Sequence, residues 1–453
     1  MTLIDEWLDI SKWTNICPDL SITAMDDVLI EEEEVEEVDG NLSTSFKSEM
    51  KRDMKTVHDS IRRDGYALLD ENVIERMASV DDENGASTNR KKKQDRIRDV
   101  RSKVAEGIRR LVVDESLPAT FILLFDETWM LTSLASRFLT DATHPKNICN
   151  FDILAWYIDA SRGDVGFSPH RDRQPDDILQ SFHKYSNEGD AGMAKYVTMW
   201  MALTDATPEN SCLYVIPAED DPGYYNGDDV NEDGPDPLQC SLQNKSDYQN
   251  IRALPRKSGE CVAFTHRILH WGSRGNKTCK CPRIALSVVV SSDDFESPYL
   301  LQPSPTDVSC LRVPHFRTRL LLVCSQMLIY HQRFDLDATF IRTCFEYCKA
   351  NLNLLERKYF QKLRNEFISA MKEHATSSPI NESVINIAGS HSEGNFSDDD
   401  AVLDAMLCAD EEGEDVIDDF EEQFEAKKNE VHTNDEDHFI DSDDDSSYVL
   451  FQE

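Results

Sequence analysis

The stretch Arg283-Ile-Ala-Leu-Ser-Val-Val-Val-Ser291 is the strongest strand signal in the chain. Its β-branched and aliphatic residues are typical of a buried strand. Two more strands are predicted at Tyr196-Val-Thr-Met-Trp-Met-Ala-Leu-Thr-Asp205 and at Cys261-Val-Ala-Phe-Thr265. Turn residues separate the former from Cys212-Leu-Tyr-Val-Ile-Pro217, and we interpret these two segments as an antiparallel hairpin. We therefore predict a mainly β core.

Potential metal ligands lie close to these strands in the sequence, at His170-Arg-Asp172 before Tyr196 and at His270 between the strands at 261–265 and 283–291. A His-x-Asp pair on one strand places an imidazole and a carboxylate close together, and a distant histidine can complete a three-point face around one ion. Two histidines and one carboxylate leave coordination positions open, which suits non-haem Fe(II) oxygenases. A solvated turn is the alternative for an isolated His-x-Asp match. The strand-like segments around both ligands favour the metal site.

Two further residues near His270 need separate interpretations. Arg283 begins the strand that follows it, where the guanidinium could reach into the same barrel and bind a carboxylate in bidentate fashion. A surface ion pair is the alternative for Arg283. His266 lies four residues before His270, the spacing of a zinc-protease helix, but the segment runs between strands and lacks the glutamate of that motif. We keep His270 as the ligand and place His266 in the barrel wall or behind the ligands.

Four segments in the same order resemble the phytanoyl-CoA dioxygenase family. The resemblance covers roughly residues 54 to 300 and implies a double-stranded β-helix, a cupin-like jelly roll, with flanking helices. It also implies Fe(II) held by His170, Asp172 and His270, with 2-oxoglutarate as cosubstrate. The matching segments are Arg62-Arg-Asp-Gly-Tyr-Ala-Leu-Leu-Asp-Glu-Asn-Val-Ile74, the His170 and Asp172 pair, Trp200-Met-Ala-Leu-Thr-Asp-Ala-Thr-Pro-Glu-Asn-Ser-Cys-Leu-Tyr-Val-Ile-Pro217, and His270-Trp-Gly-Ser-Arg-Gly-Asn-Lys-Thr278 with Arg283.

The resemblance also implies roles within the site. Arg283 would clamp the distal carboxylate of 2-oxoglutarate, and Trp200 would pack near the cosubstrate, although an aromatic residue in an apolar strand is by itself typical of core. Tyr157 and Asn210 are weaker candidates of the same kind. Halogenating relatives replace the ligand carboxylate by a small residue, so the presence of Asp172 favours hydroxylation. The expected reaction consumes O2 and 2-oxoglutarate and releases succinate and CO2.

The arginines on either side of the carboxylate ligand, Arg171 and Arg173, have two interpretations. Contact with an anionic substrate is one, and a solvated strand end is the one we favour.

The charge of the chain, −39 in total, is concentrated in residues 31–39 and in the tail after about residue 377. Such acidic segments repel themselves and bury little apolar surface, so we expect the tail to be disordered. Docking of a basic protein partner, such as a histone or ribosomal protein, is the alternative. The basic stretch Arg90-Lys-Lys-Lys93 is interpreted as a solvated loop and helix start, and we do not expect a nucleic-acid partner.

These patterns predict four regions. They are an acidic extension at 1–53, the dioxygenase-like domain at 54–300, a helical appendage at 301–376 and the acidic disordered tail at 377–453. The N-terminus lacks a basic-then-apolar signal pattern and no apolar run reaches membrane-spanning length. We therefore expect an intracellular, most simply cytoplasmic, protein whose twelve cysteines are reduced.

The predicted function is that of an Fe(II)- and 2-oxoglutarate-dependent dioxygenase, which hydroxylates a small-molecule or acyl-type substrate. Two alternatives stay open. One is a non-catalytic interaction protein that keeps the barrel and works through its acidic tail. The other is a cupin-type metal enzyme that does not use 2-oxoglutarate, from which Arg283 would distinguish the predicted dioxygenase.

Overall fold

The strands of the protein form two antiparallel sheets. The computed structural model describes residues 2–23, 43–70, 72–79, 87–173, 194–227, 237–301 and 313–377. Within these ranges a five-stranded sheet has the order β1-β6-β3-β8-β2, and a three-stranded sheet has the order β5-β4-β7. The strands are β1 (Tyr66–Leu69), β2 (Asn147–Ile158), β3 (Tyr196–Ala202), β4 (Leu213–Ile216), β5 (Arg252–Leu254), β6 (Cys261–Thr265), β7 (Leu269–Gly272) and β8 (Arg283–Ser292).

Helices flank the sheets, and the last three follow β8 in the chain. None of the helices in the described ranges combines the length and the apolar character needed to cross a membrane. They are α1 (Leu3–Trp7), α2 (Ile10–Ile16), α3 (Ser43–Asp64), α4 (Val73–Met77), α5 (Ser87–Arg109), α6 (Asp126–Ala142), α7 (Pro222–Asn226), α8 (Pro237–Ser241), α9 (Phe316–Ile329), α10 (Ala338–Ala350) and α11 (Arg357–Ser377).

The acidic segments at 31–39 and after residue 377 lie outside the described residues. The predictions of disorder, of a basic protein partner and of the four regional boundaries therefore stay predictions.

The predicted hairpin between β3 and β4 is wrong. Strand β3 lies in the large sheet with β6 and β8 as its neighbours, whereas β4 pairs with β5 and β7 in the small sheet. Both edges of β3 are therefore occupied, by β6 and by β8. The connection between β3 and β4 contains a 3₁₀ turn at Pro208–Asn210 and a left-handed residue, Ser211, with φ of 75°. It carries the chain from one sheet to the other.

The two sheets share one apolar core. Leu213 and Val215 from the small sheet pack in the same buried cluster as Trp200, Val262 and Ala285 from the large one. Alternate residues of a strand face the same side of a sheet, so this side of β3 and β8 also carries Thr198 and Ser287, which line a cavity. The polar residues of the site therefore lie at the end of an otherwise apolar interior.

The C-terminal helices are attached to this interior through Asp152. An irregularity in the pairing of β2 with β8 lies next to this residue, which is buried. Its carboxylate accepts hydrogen bonds from Tyr196 and Tyr299, both at 3.1 Å, and from Gln326 and Tyr330, both at 3.2 Å. Since Gln326 belongs to α9 and Tyr330 directly follows it, this network fixes the helical segment beside the cavity.

Candidate metal and cosubstrate site

Three potential metal ligands converge in the structure. Ligand atoms of His170, Asp172 and His270 all lie within 4.8 Å of one another. The Oδ1 atom of Asp172 is 3.7 Å from Nε2 of His170 and 3.6 Å from Nε2 of His270. Two imidazole nitrogens and one carboxylate on one side of an ion leave the other positions open for small ligands.

The two histidines meet because their backbones pair directly. The amide of His170 donates to the carbonyl of His270 at 3.0 Å, and the amide of His270 donates back at 3.1 Å. Residue 170 thus forms an isolated bridge to β7, and the expectation that the His-x-Asp pair lies within a strand is wrong. Four residues earlier, a Cβ on Gly166 would lie 2.5 Å from the Cα of Gly272. This close approach requires glycine.

We expect Gly166→Ala to lower metal affinity by about 10- to 100-fold, the effect typical of disturbing groups that orient metal ligands. The added methyl group would force the segment of His170 away from β7. Gly163→Ala is the matched control, because a Cβ there meets no atom within 4 Å although φ is 95°. Fe(II) titration under anaerobic conditions, followed by tryptophan fluorescence, measures both variants. Equal affinities would contradict the role given to the glycine contact.

Local hydrogen bonds orient both imidazoles in the same way. The Nδ1 atom of His170 lies 2.8 Å from the carbonyl oxygen of Ser168, and that of His270 lies 3.1 Å from the carbonyl oxygen of Ile268. If each Nδ1–H donates to its carbonyl, each Nε2 presents its lone pair to the cluster. Burial, and then the neighbouring His270, lower the pKa of His170 to about 3. His170 is therefore neutral at pH 7, the state that binds metal.

Asp172 is held as a carboxylate. Burial raises its pKa, but His270, His170 and Arg173 nearby and the hydrogen bond from Thr198 together outweigh burial, and the net pKa lies below its usual value. The hydroxyl of Thr198 donates to Oδ2 at 3.1 Å. Strand β3 therefore orients the oxygen that faces away from the two histidines.

A buried cation lies deeper in the same interior. Arg283 is fully buried, and none of its three guanidinium nitrogens has a hydrogen-bond partner among the described residues. Its Cζ lies 5.6 Å from the ring of Trp200, whose buried Nε1 also lacks a partner there. Burial lowers the pKa of Arg283 to about 10. Because an uncompensated buried charge is costly, these donors fit an anionic group that enters from the cavity.

The other sequence candidates lie near the cluster without joining it. His266 is fully buried, its Nδ1 is 3.2 Å from the carbonyl oxygen of Tyr196, and burial lowers its pKa to about 4. Asn210 donates to the carbonyls of Asp205 and Cys281 at 2.8 and 3.0 Å. It thereby ties the β3–β4 connection to the residues just before Arg283.

The favoured expectation of solvated arginines beside Asp172 is wrong. Arg171 forms an ion pair of 2.6 Å with Asp221, and the two side chains are only 1% and 0% exposed. Arg173 forms an ion pair of 2.5 Å with Glu296 and donates to the backbone carbonyl of Asp172 at 2.6 Å. Both guanidinium groups therefore have protein partners that hold the loop of the ligands.

A cavity of about 60 Å³ contains the cluster. Aromatic side chains form much of its wall, and two of its residues, Tyr330 and Arg333, come from the segment after α9. The sequence analysis missed these two, since no motif marks them and they reach the cavity through helix packing. Other wall residues are Trp156, Phe167, Trp200 and Phe264.

Residues 46–285 match the family model described as phytanoyl-CoA dioxygenase (PhyH). The match covers more than half of the chain and assigns the protein to the class of non-haem Fe(II)- and 2-oxoglutarate-dependent dioxygenases. The chain belongs to the phytanoyl-CoA dioxygenase family, as its motifs predict.

Solved structures with a similar fold include three proteins of low sequence identity. The epimerase SnoN, in complex with Fe3+, alpha ketoglutarate and nogalamycin RO, is 16% identical with a TM-score of 0.35, covering 54% of this chain and 84% of its own. The carbocyclase SnoK from nogalamycin biosynthesis is 14% identical with a TM-score of 0.34, covering 56% and 88%. HygX from Streptomyces hygroscopicus, with nickel and 2-oxoglutarate bound, is 11% identical with a TM-score of 0.34, covering 55% and 89%. Scores of this size carry no further argument. No curated protein sequence matches this chain.

Proposed function

We propose that the protein hydroxylates a C–H bond of a small-molecule or acyl-type substrate, with His170, Asp172 and His270 as the ligands of Fe(II) and Arg283 as the anchor of 2-oxoglutarate. The observation that carries the proposal is the buried guanidinium of Arg283, which has no partner among the described residues and lies in the same interior as the ligand cluster. A keto acid with two carboxylates can bind the metal at its keto end and pair with Arg283 through its distal carboxylate.

Each protein group has a distinct task in this proposal. The metal with 2-oxoglutarate and O2 supplies oxidative decarboxylation to succinate and CO2, coupled to oxidation of the substrate. The guanidinium of Arg283 and the indole N–H of Trp200 bind the distal carboxylate of the keto acid. Thr198 keeps the carboxylate of Asp172 turned toward the histidines. Presence of that carboxylate in place of a small residue favours hydroxylation over halogenation.

The aromatic walls provide exclusion of water. Phe167 lies edge-on to both imidazoles, with ring centroids 4.9 Å from His170 and 5.6 Å from His270. Phe264 lies 4.6 Å from His270 on another side. These rings hold the imidazoles in place and limit the access of competing water to the reacting centre.

Both alternatives predict a different interior. A cupin-type enzyme without 2-oxoglutarate has no need for a buried unpaired arginine, and a retained, non-catalytic barrel has no need for three converging ligand side chains. Arg283 therefore disfavours the first and the His-Asp-His cluster disfavours the second.

The proposed architecture is a double-stranded β-helix within a domain spanning 54–300. Two antiparallel sheets that share one core, with the ligands at one end of the interior, support this assignment.

The test is an anaerobic titration of the iron-loaded protein with 2-oxoglutarate, which follows the weak visible charge-transfer band of the iron chelate. We expect the band in the wild type and its loss in His170→Ala. His266→Gln is the matched control, because His266 is a buried histidine four residues before His270 and outside the cluster, and this variant should keep the band. Absence of the band from folded, iron-loaded wild type would refute the proposed function.

A further inference from the structure

The outer wall of the cavity comes from a part of the chain that the family model does not cover. Tyr330 and Arg333 lie beyond residue 285, where the match ends, and both line the cavity with the metal-ligand cluster. Arg333 belongs to the 3₁₀ turn His331–Arg333 between α9 and α10. The helical segment therefore contributes side chains that the shared family core does not supply.

Arg333 offers a cation at the mouth of the cavity. Arg333 is exposed, and its Cζ lies 5.6 Å from the ring of Phe167, which in turn contacts His170. No hydrogen bond or ion pair joins Arg333 to another of the described residues. The hydroxyl of the nearby Tyr330 already has a protein partner, because it donates to Asp152. The N–H donors of the Arg333 guanidinium are therefore available to another molecule.

The other charges of the cavity are already accounted for. Asp152 receives four neutral donors and lies 3.4 Å from Arg173. The ligand cluster belongs to the metal, and Arg283 belongs to the distal carboxylate of the keto acid in the proposed function. Among the described lining residues, Arg333 is the cation without an assigned counter-charge. It therefore suits a second anion, which is separate from 2-oxoglutarate.

The size of the cavity places that anion at the rim. About 60 Å³ is well below the roughly 300–1,000 Å³ of pockets that enclose drug-sized ligands. A substrate would therefore insert its reacting end and leave the remainder near the mouth, next to Arg333. The protein has a net charge of −39, so an anionic substrate needs a local cation for docking.

We propose that the substrate carries a carboxylate or phosphate group, which Arg333 binds at the cavity mouth while the reacting carbon lies near the metal. This inference rests on the proposed function. Arg333 acts as a specificity-determining residue, since its planar fork of donors matches either anion in bidentate fashion.

The experiment measures binding of three probes of similar shape to anaerobic protein loaded with Fe(II) and 2-oxoglutarate. The probes are 3-phenylpropionate, phenyl phosphate and the neutral 3-phenylpropanamide, measured by isothermal titration calorimetry. We expect at least one anionic probe to bind wild type about 10- to 100-fold more tightly than the amide. The preferred anion distinguishes a carboxylate from a phosphate.

Variants test whether Arg333 is the cause. Arg333→Gln should remove the preference for the anion, and Arg333→Lys should restore part of it. Gln332→Ala, on the same exposed turn, should keep the preference.

Two failures can be told apart. If the wild type lacks the chelate band, the proposed function fails. If the band forms and the three probes bind equally or not at all, or Arg333→Gln keeps the preference, only the role of Arg333 is overturned.

Discussion

Arg283→Met is expected to stabilise the protein in the absence of 2-oxoglutarate and to abolish its stabilisation by 2-oxoglutarate. The guanidinium is buried without a partner among the described residues, so its removal should raise the free energy of unfolding by about 1–3 kcal/mol. In iron-loaded wild type, 2-oxoglutarate at 100 times its Kd should add about 2.7 kcal/mol. Urea denaturation under anaerobic conditions, with and without 2-oxoglutarate, measures both effects.

Arg319→Met is the matched control for this prediction. Arg319 is also almost fully buried, at 1% exposure, but it forms an ion pair of 2.6 Å with Asp126 and donates to the carbonyl of Leu124 at 2.8 Å. Its loss should lower the free energy of unfolding by about 1–3 kcal/mol, because the buried carbonyl of Leu124 loses its donor and Asp126, which is 23% exposed, loses its counter-ion. A destabilised Arg283→Met that still responds to 2-oxoglutarate would show that Arg283 is an ordinary structural arginine.

Asp221→Ala is expected to cause the largest loss of stability, about 3–5 kcal/mol, because it leaves the cation of Arg171 buried without its carboxylate. The carboxylate accepts two hydrogen bonds from this guanidinium, at 2.6 and 2.9 Å. Arg171 stands between His170 and Asp172 in the chain, so metal affinity should fall as well. Thermal unfolding and Fe(II) titration measure the two effects.

An exposed ion pair provides the comparison. Asp95 pairs with Arg98 at 2.9 Å, and both side chains are about half exposed, at 53% and 52%. Asp95→Ala should therefore change stability by no more than about 1 kcal/mol, with metal affinity unchanged. If Asp221→Ala behaved like Asp95→Ala, the ion pair of Arg171 would have no special part in holding the ligand loop.

Short patterns along the chain were enough to name the residues that the structure brings together. The His-x-Asp pair, the distant His270 and the arginine that begins β8 are each recognisable without knowledge of the fold. The choice of His270 over His266 also followed from a local property, since strand-like neighbours exclude the helical spacing. These features depend on residues within a few positions of one another, so the sequence expresses them directly.

Strand pairing and the burial of charged side chains depend instead on segments that are distant in the sequence and compete for the same place in the fold. The β3–β4 hairpin does not form because β6 and β8 occupy both edges of β3. Arg171 looked like a solvated residue because its partner, Asp221, lies 50 positions away. Charge pairs of this kind form only when the chain folds, and no local sequence pattern predicts them.

The sequence by itself therefore determined the class of the protein and identified the three side chains that converge in the structure, His170, Asp172 and His270. The tertiary structure decided which cations are neutralised by protein partners, as with Arg171 and Arg173, and which have none among the described residues, as with Arg283 and Arg333. It also placed Tyr330 and Arg333 in the wall of the cavity, although they follow the ligands by more than fifty residues. The physical reason is that metal-ligand chemistry needs particular residue types at particular spacings, whereas the state of a charge depends on every segment packed around it.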